Sequence, residues 1–365
     1  MKIVIIGAGP IGCYSAQLFN KFMPGIDVIN IEEHPQVGKP VHCAGLVSRR
    51  IFEESKVALD TGCIINVIDG ARFFFNSDSF LIRRKDAAVV VDRSKFDADL
   101  SRGLKIISNT RFVGIGKEGR GYLIETDKGE YYADIVIGAD GANSLLRSAI
   151  NGKENIDYFR GVQFRIRSKR KRNIVNVYIR SSFFAWAIPE DENIIRVGII
   201  SDNPYHDLVD LLRREGIKGE ILEKFAGVVP LGRCQTQKDR IFLVGDAACQ
   251  VKPLSHGGLY YGMRCAEILV DCISQSRLDD YQKKWQERFG REINIGLKIR
   301  QIYTKLNQDN IDKMFAIFKE NVDIIEKFGD LENHSKFISE IIKNPKLQIL
   351  LGKVIFSIIK DINTQ

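Results

Sequence analysis

The hydrophobic pattern changes period several times along this chain, and the changes outline its elements. Residues 2–6 are a short apolar run of the kind a strand buried on both faces gives. Gly7, Gly9 and Gly12 follow at once, and residues 13–21 then carry apolar positions at helical spacing. A second apolar strand, 27–31, ends at Glu32. Between 110 and 133 apolar and polar residues alternate, broken by glycine-containing turns, which predicts paired antiparallel strands. Residues 134–147 run from strand through an Asp140-Gly141 turn into a helix. Further strands are expected between 160 and 200 (RGVQFRIRS, IVNVYIRS, FAWAIP and IIRVGI), with 169–172 as a hairpin turn. Residues 240–262 make the last such corner: an apolar strand 241–244, a Gly245-Asp246 turn, a loop through Pro253, and a helix opened by Gly257 and Gly258. From 276 onward the pattern is helical. Amphipathic helices are expected at 331–344 and 345–362, the second gathering Leu347, Leu350, Leu351, Val354, Ile355, Ile358 and Ile359 on one broad face.

Composition narrows the class. At 365 residues, 44% hydrophobic and 27% charged, the chain is an ordinary globular protein with length for two or three cores. The net charge of +8 suits nucleic acid, anionic lipid surfaces or phosphorylated ligands. No nucleic-acid module accompanies it, and Lys169-Arg170-Lys171-Arg172 reads as a solvated turn, so nucleic acid is excluded as a partner. The seven cysteines are scattered without CxxC pairs, which argues for a reducing, cytoplasmic setting and against disulfides or a metal site. The chain opens directly on a strand, so no signal peptide is expected, and no run of 18 apolar residues exists to span a membrane.

The glycine corners carry the chemistry. In Gly7-x-Gly9-x-x-Gly12 the glycines allow a tight turn, close approach to a pyrophosphate and close helix packing. Glu32 lies twenty residues after Gly12, where a dinucleotide fold places the acid for the adenosine ribose; Glu33 beside it could share that role. Asp246 at a strand end can hold a polyol hydroxyl, and the helix behind Gly257-Gly258 offers free N–H groups to a phosphate or a flavin edge. Arg93 opens a predicted helix, 92–100. It is either a surface arginine at a helix end or a cation over a bound cofactor.

Three separated motifs stand in a fixed order: GAGPIG with Glu32, then IVIGADGANSLLR, then RIFLVGDAA with its glycine helix. Together they resemble the glutathione-reductase-type FAD fold of the flavin monooxygenases and their reductase relatives, and Arg93 fits that superfamily's DR-x-x-F-D signature. Phe184-Ala-Trp186-Ala-Ile188-Pro189 is similar to the Y-x-W-x-F-P motif of the geranylgeranyl reductase family, with Phe184 for Tyr and Ile188 for Phe. Cys43-Ala44-Gly45-Leu46 resembles that family's C-x-G-L segment, and Gly227-Val-Val-Pro230-Leu-Gly232 its G-x-I-P-x-G link. The helical tail agrees, so the resemblance covers nearly the whole chain.

The resemblance implies an α/β fold: a Rossmann-type FAD domain (1–158 and 233–275), an inserted antiparallel-sheet substrate domain (159–232) and a helical C-terminal domain (276–365). FAD would be held by Gly7, Gly9, Gly12, Glu32, Glu33, Cys43, Ala44, Gly45, Arg93, Asp140, Asp246, Gly257 and Gly258. Phe164, Phe184, Trp186 and Pro189 would line the substrate cavity, and Cys43 and His256 are the catalytic candidates, with His42 a titratable neighbour. The implied reaction saturates C=C bonds of an isoprenoid lipid, with NADPH or ferredoxin as electron donor and a peripheral contact at the inner membrane surface. The rival readings are an FAD- and NADPH-dependent aromatic hydroxylase and a flavoprotein passing electrons to a quinone. The tryptophan motif and helical tail speak against the first. The lack of a cysteine cluster for an iron–sulfur centre speaks against the second.

Overall fold

A computed structural model of the chain describes residues 1–152, 154–169, 173–180, 184–343, 345 and 348–349. The expected turn at 170–172 and most of the expected helix at 345–362 lie outside the described residues. The chain forms two compact units. The first comprises Met1–Ile64, Val91–Phe159 and Gly227–Ile293, and the second Ile65–Val90, Arg160–Ala226 and Asn294–Gln365.

In the first unit six strands form one sheet, in the order Gln237–Lys238, Ile241–Leu243, Ile135–Gly138, Lys2–Ile6, Asp27–Ile31, Ile106–Ile107. Neighbours are parallel except for the antiparallel edge pair Gln237–Lys238 and Ile241–Leu243. Ile3, Val4 and Ile5 at the sheet centre are fully buried, which is why strand Lys2–Ile6 is an unbroken apolar run. Ile6 stands opposite both Gly138 and Ile31, so the glycine loop, the Asp140 turn and Glu32 all leave the sheet at the same strand ends. The helix after the glycine loop begins at Pro10, earlier than its apolar spacing suggests. Proline suits that first turn because its missing N–H would have had no helical partner. The antiparallel meander is present as Phe112–Glu118, Gly121–Thr126 and Gly129–Ala133.

The second unit is built on a sheet ordered Glu220–Arg233, Asn155–Arg167, Ile194–Ile200, Phe184–Pro189, Ile174–Ile179, Ile64–Phe75, Asp78–Val91. The last two strands carry charged stretches that mask their alternation, and the sequence reading passed over them. Helix Pro204–Arg214 was missed too. Its buried Leu208 and Leu211 cover one sheet face, against Phe164, Ile166, Tyr178, Ala185, Ala187, Val197 and Ile199. The tail is helical over Gln308–Glu320, Val322–Phe328 and His334–Ile342. Ile311 and Phe315 pack on Phe75 and Phe80 of the sheet. Among the described residues, no helix is long and apolar enough to cross a membrane.

Candidate functional site

The first unit gathers the glycine corners into one cradle. Gly7 has φ +102°, and a Cβ there would lie 2.4 Å from the Ala139 carbonyl oxygen. A Cβ on Gly12 would lie 2.2 Å from the Gly7 oxygen, so the loop folds back tightly onto its own helix. At Gly9, by contrast, nothing lies within 4 Å of the Cβ position. Helix Pro10–Phe22 has no side-chain cap and no acidic residue in its first turn. Its free N–H groups and positive end therefore face open space, the arrangement that binds a phosphate. Glu32 is buried, and its carboxylate accepts the Ala8 N–H at 2.7 Å and the His34 N–H at 2.9 Å. Glu33 is exposed, so the strand end presents Glu32 and turns Glu33 outward.

The second corner docks against the first through Ile11. Cβ atoms on Gly245 and Gly262 would come within 3.1 and 2.8 Å of the Ile11 side chain. Asp246 follows, and a Cβ on Gly258 would lie 2.5 Å from Asp246 Oδ1. Only glycine lets that carboxylate rest at the start of helix Leu259–Ser274, which again has neither a side-chain cap nor an acidic first turn. Tyr14 donates to Glu267 at 2.5 Å, and Glu267 pairs with Arg264 at 2.8 Å with both side chains buried. This contact locks together the two helices whose N-termini face the cradle.

Arg93 joins the corners electrostatically. Its guanidinium forms a bidentate pair with Asp97, both bonds 2.9 Å. Burial disfavours the charge, but Asp97 and a hydrogen-bonded Cys43 outweigh it and hold Arg93 protonated more firmly than usual. Cys43 Sγ also accepts the Gly45 N–H at 3.3 Å, so Cys43, Ala44 and Gly45 form a turn set against the arginine. Burial pushes the Asp246 carboxyl above its ordinary range, and Arg93 and Arg147 work against that shift. With its side chain 12% exposed and paired to Asp97, Arg93 is not a freely solvated surface arginine.

Arg147 was not singled out from the sequence, yet it is fully buried. It donates to Glu154 at 2.9 Å, to the Ala247 carbonyl at 3.1 Å, to the Ala142 carbonyl at 2.8 Å and to the Tyr158 hydroxyl at 2.7 Å. It thus ties the Asp140 turn to the Gly245–Ala248 turn that presents Asp246. The one available signal was Glu154 seven residues on, a spacing that by itself pairs no charges on a helix. The Asp140 carboxylate accepts the Ser144 hydroxyl at 2.6 Å and the Leu146 N–H at 3.2 Å, which holds the turn into the following helix. Gly257 lies against Lys252, whose Cε would be 2.9 Å from an added Cβ. His256 adopts φ +59°, with its ring 5.9 Å from Phe159. His42 is exposed.

The four expected substrate residues lie in the second unit but not on one face. Phe184 and Trp186 share a face with ring centroids 6.0 Å apart. Phe164 is 1% exposed and belongs to the opposite, helix-covered face, edge-on to Tyr205. Its assignment as a cavity residue is corrected by strand alternation. Pro189 is buried, and its carbonyl accepts Asn66 Nδ2 at 2.8 Å.

Two uncapped helix N-termini, a glycine-tight loop, a buried acid at a strand end and a second acid at a helix start suit a flavin nucleotide, and the fold and site define a flavoprotein oxidoreductase. No family model matches the chain. It is 31% identical to an uncharacterized protein of Methanocaldococcus jannaschii, over 99% of this chain and 98% of that one. It is also 27% identical to digeranylgeranylglycerophospholipid reductase 1 of Methanothermobacter thermautotrophicus, over 97% and 98%. The fold matches a geranylgeranyl bacteriochlorophyll reductase-like structure from Thermoplasma acidophilum with TM-score 0.80 and 23% identity, over 97% and 98% of the two chains. The chain belongs to the geranylgeranyl reductase family.

Proposed function

We propose that the chain is an FAD-dependent reductase that saturates isolated C=C bonds in the geranylgeranyl chains of a lipid. The observation that carries this reading is the meeting, within one unit, of the GAGPIG helix, the Cys43–Gly45 turn and the Asp246–Gly258 corner, in a chain whose named relatives are digeranylgeranylglycerophospholipid reductases. The two helix N-termini would hold phosphate and the flavin edge, Glu32 the adenosine ribose, and Asp246 the ribityl hydroxyls. FAD in its reduced form supplies the hydride.

An unactivated alkene has no oxygen on which developing charge can rest. The protein therefore has to hold the bond in a dry pocket and provide a proton for the second carbon. Phe184 and Trp186 are the apolar wall in this reading. Cys43, set against Arg93, and His256 are the candidates to hold that proton. The electron donor is NADPH or ferredoxin. Because such a substrate lives in a membrane, the reading carries a peripheral membrane contact, favoured by the +8 charge.

The test is a single turnover. The protein is reduced with dithionite without air, a geranylgeranylated phospholipid is added, and the lipid mass is read. Gain of hydrogen in steps of H₂ with return of the oxidised flavin spectrum is expected. No reoxidation without oxygen, together with gain of one oxygen atom by an aromatic substrate in air, would replace the reading with a hydroxylase.

A further inference from the structure

Two cysteines of the first unit, Cys234 and Cys249, meet beside the turn that carries Asp246. Cys234 precedes the edge strand Gln237–Lys238, which pairs antiparallel with Ile241–Leu243. The Leu243 N–H donates to the Thr236 carbonyl at 2.9 Å, so the pairing runs back toward Cys234 as the other strand enters the Gly245–Ala248 turn. That turn ends on Cys249. Cys234 packs against the apolar cluster that includes Leu146, Ile150 and Ala248, and its thiol shares a hydrogen bond with the Cys249 thiol. Cys249 is 3% exposed and Cys234 half-buried, and both are free thiols.

The backbone at Cys249 is unusual for a residue with a side chain. Its φ is +54°, in the left-handed region, where a β-carbon is held at a cost that glycine avoids. Strained positions of this kind gather at functional and switching segments. The surroundings suit sulfur chemistry. The Arg147 guanidinium donates to the Asp246 and Ala247 carbonyls at 3.3 and 3.1 Å, and its charge reaches both sulfurs. The hydrogen bond with Cys249 and burial push the Cys234 thiol well above its ordinary range, and Arg147 works against them. The pair rests as two thiols, with a cation beside it that favours a thiolate once a proton leaves.

We propose that Cys234 and Cys249 are an oxidisable dithiol, a modification site at which a peroxide forms a disulfide that shifts the turn carrying Asp246. The Cys234 sulfur, the more accessible of the two, attacks one oxygen of hydrogen peroxide. The O–O bond breaks, the departing hydroxide takes the thiol proton as water, and Cys234 becomes a sulfenic acid. The Cys249 sulfur then attacks the Cys234 sulfur, the S–OH bond breaks, and that hydroxide leaves with the Cys249 proton as a second water. Each cysteine gives up one electron and the peroxide takes both. The new bond draws the sulfurs closer than their hydrogen bond did. Because the turn ends on Cys249, Asp246 moves with it. The consequence for cofactor retention rests on the flavin reading above.

The experiment treats the purified protein with hydrogen peroxide, blocks the remaining thiols with iodoacetamide and digests with trypsin without reductant. Cys234 and Cys249 fall in separate single-cysteine peptides, 234–238 and 241–264, because Pro253 protects the bond after Lys252. A cross-link between these peptides, reversed by dithiothreitol, is expected. With it the melting temperature should rise, since a closed loop restricts the unfolded chain, and the ratio of flavin to protein absorbance after gel filtration should fall. Cys249→Gly suits the left-handed backbone, so it should fold at least as stably while losing the cross-link and the peroxide response of both readouts. Cys43 is intact in that variant, so a response arising there would persist. No cross-link in the wild type, or a sulfinic acid on Cys234 or Cys249 in its place, would overturn the site. A cross-link that leaves melting temperature and flavin ratio unchanged would overturn its hold on the turn. If the protein retains no flavin before treatment, the flavin reading fails, while the peptide map and melting curve still decide the dithiol.

Discussion

Asp246 is held buried at a cost to the fold. Burial raises its pKa, only partly offset by Arg93 and Arg147, so the folded chain binds this proton more tightly than the unfolded chain does. The sign follows: the stabilising contribution is full below the ordinary aspartate value, about 3.9, and is lost as pH rises through the folded value. Asp246→Asn should therefore raise the melting temperature of the flavin-free protein at neutral pH, with the difference from wild type shrinking toward pH 4. The same variant should retain less flavin after gel filtration, read as the ratio of flavin to protein absorbance. A neutral-pH melting temperature equal to or below wild type would show that the carboxylate is not strained in the fold. Gly258→Ala tests the same corner sterically. Its methyl would meet the Asp246 oxygen at 2.5 Å, so flavin retention should fall with only a small loss of stability. The C-x-G-L setting pointed to Cys43 as part of a tight loop, and its Sγ does accept the Gly45 N–H. Arg147 was not legible, because a buried and an exposed arginine look alike in sequence until their partners are known.

At the level of elements, the cradle depends on turns held from outside themselves. The Gly245–Ala248 turn is fastened by Arg147, which also satisfies Glu154. Arg147→Ala would leave the half-buried Glu154 without its cation and carbonyls without donors. Breaking such a pair costs about 3–5 kcal/mol, so a drop of many degrees in melting temperature is expected, accompanied by loss of flavin. An unchanged melting curve would mean the turn stands by itself. Gly12→Ala acts where helix meets loop, placing a methyl 2.2 Å from the Gly7 oxygen. Overpacking of this kind costs about 1–3 kcal/mol, measurable by urea denaturation. Strands and helices with a clean period were readable in advance, including the meander at 112–133 and the glycine-led helices. The hairpin of Ile64–Phe75 and Asp78–Val91 escaped because charged residues interrupt its alternation. Phe164 went to the wrong face for a related reason. Alternation gives the phase within a strand, but the register between strands decides which phases share a face.

For the molecule as a whole, the reading requires that the folded chain and not the unfolded one binds FAD. Saturating FAD should then raise the stability of the flavin-free protein by about 2.7 kcal/mol at a hundredfold excess over the dissociation constant, followed as a concentration-dependent melting temperature. No shift with FAD would remove the cofactor assignment while leaving the fold intact. The ordered glycine motifs, the acid after the second strand and the tryptophan motif were local in sequence. By themselves they determined the class of fold, the cofactor chemistry and the family, because each motif reflects backbone geometry that neighbouring residues impose. The tertiary structure alone decided that Arg147 is buried and ties the Ala142 and Ala247 carbonyls together, and that Gln163, Gly198 and Trp186 share one row of the second unit's sheet. Those facts depend on residues tens of positions apart meeting through sheet order and register, which no local pattern encodes.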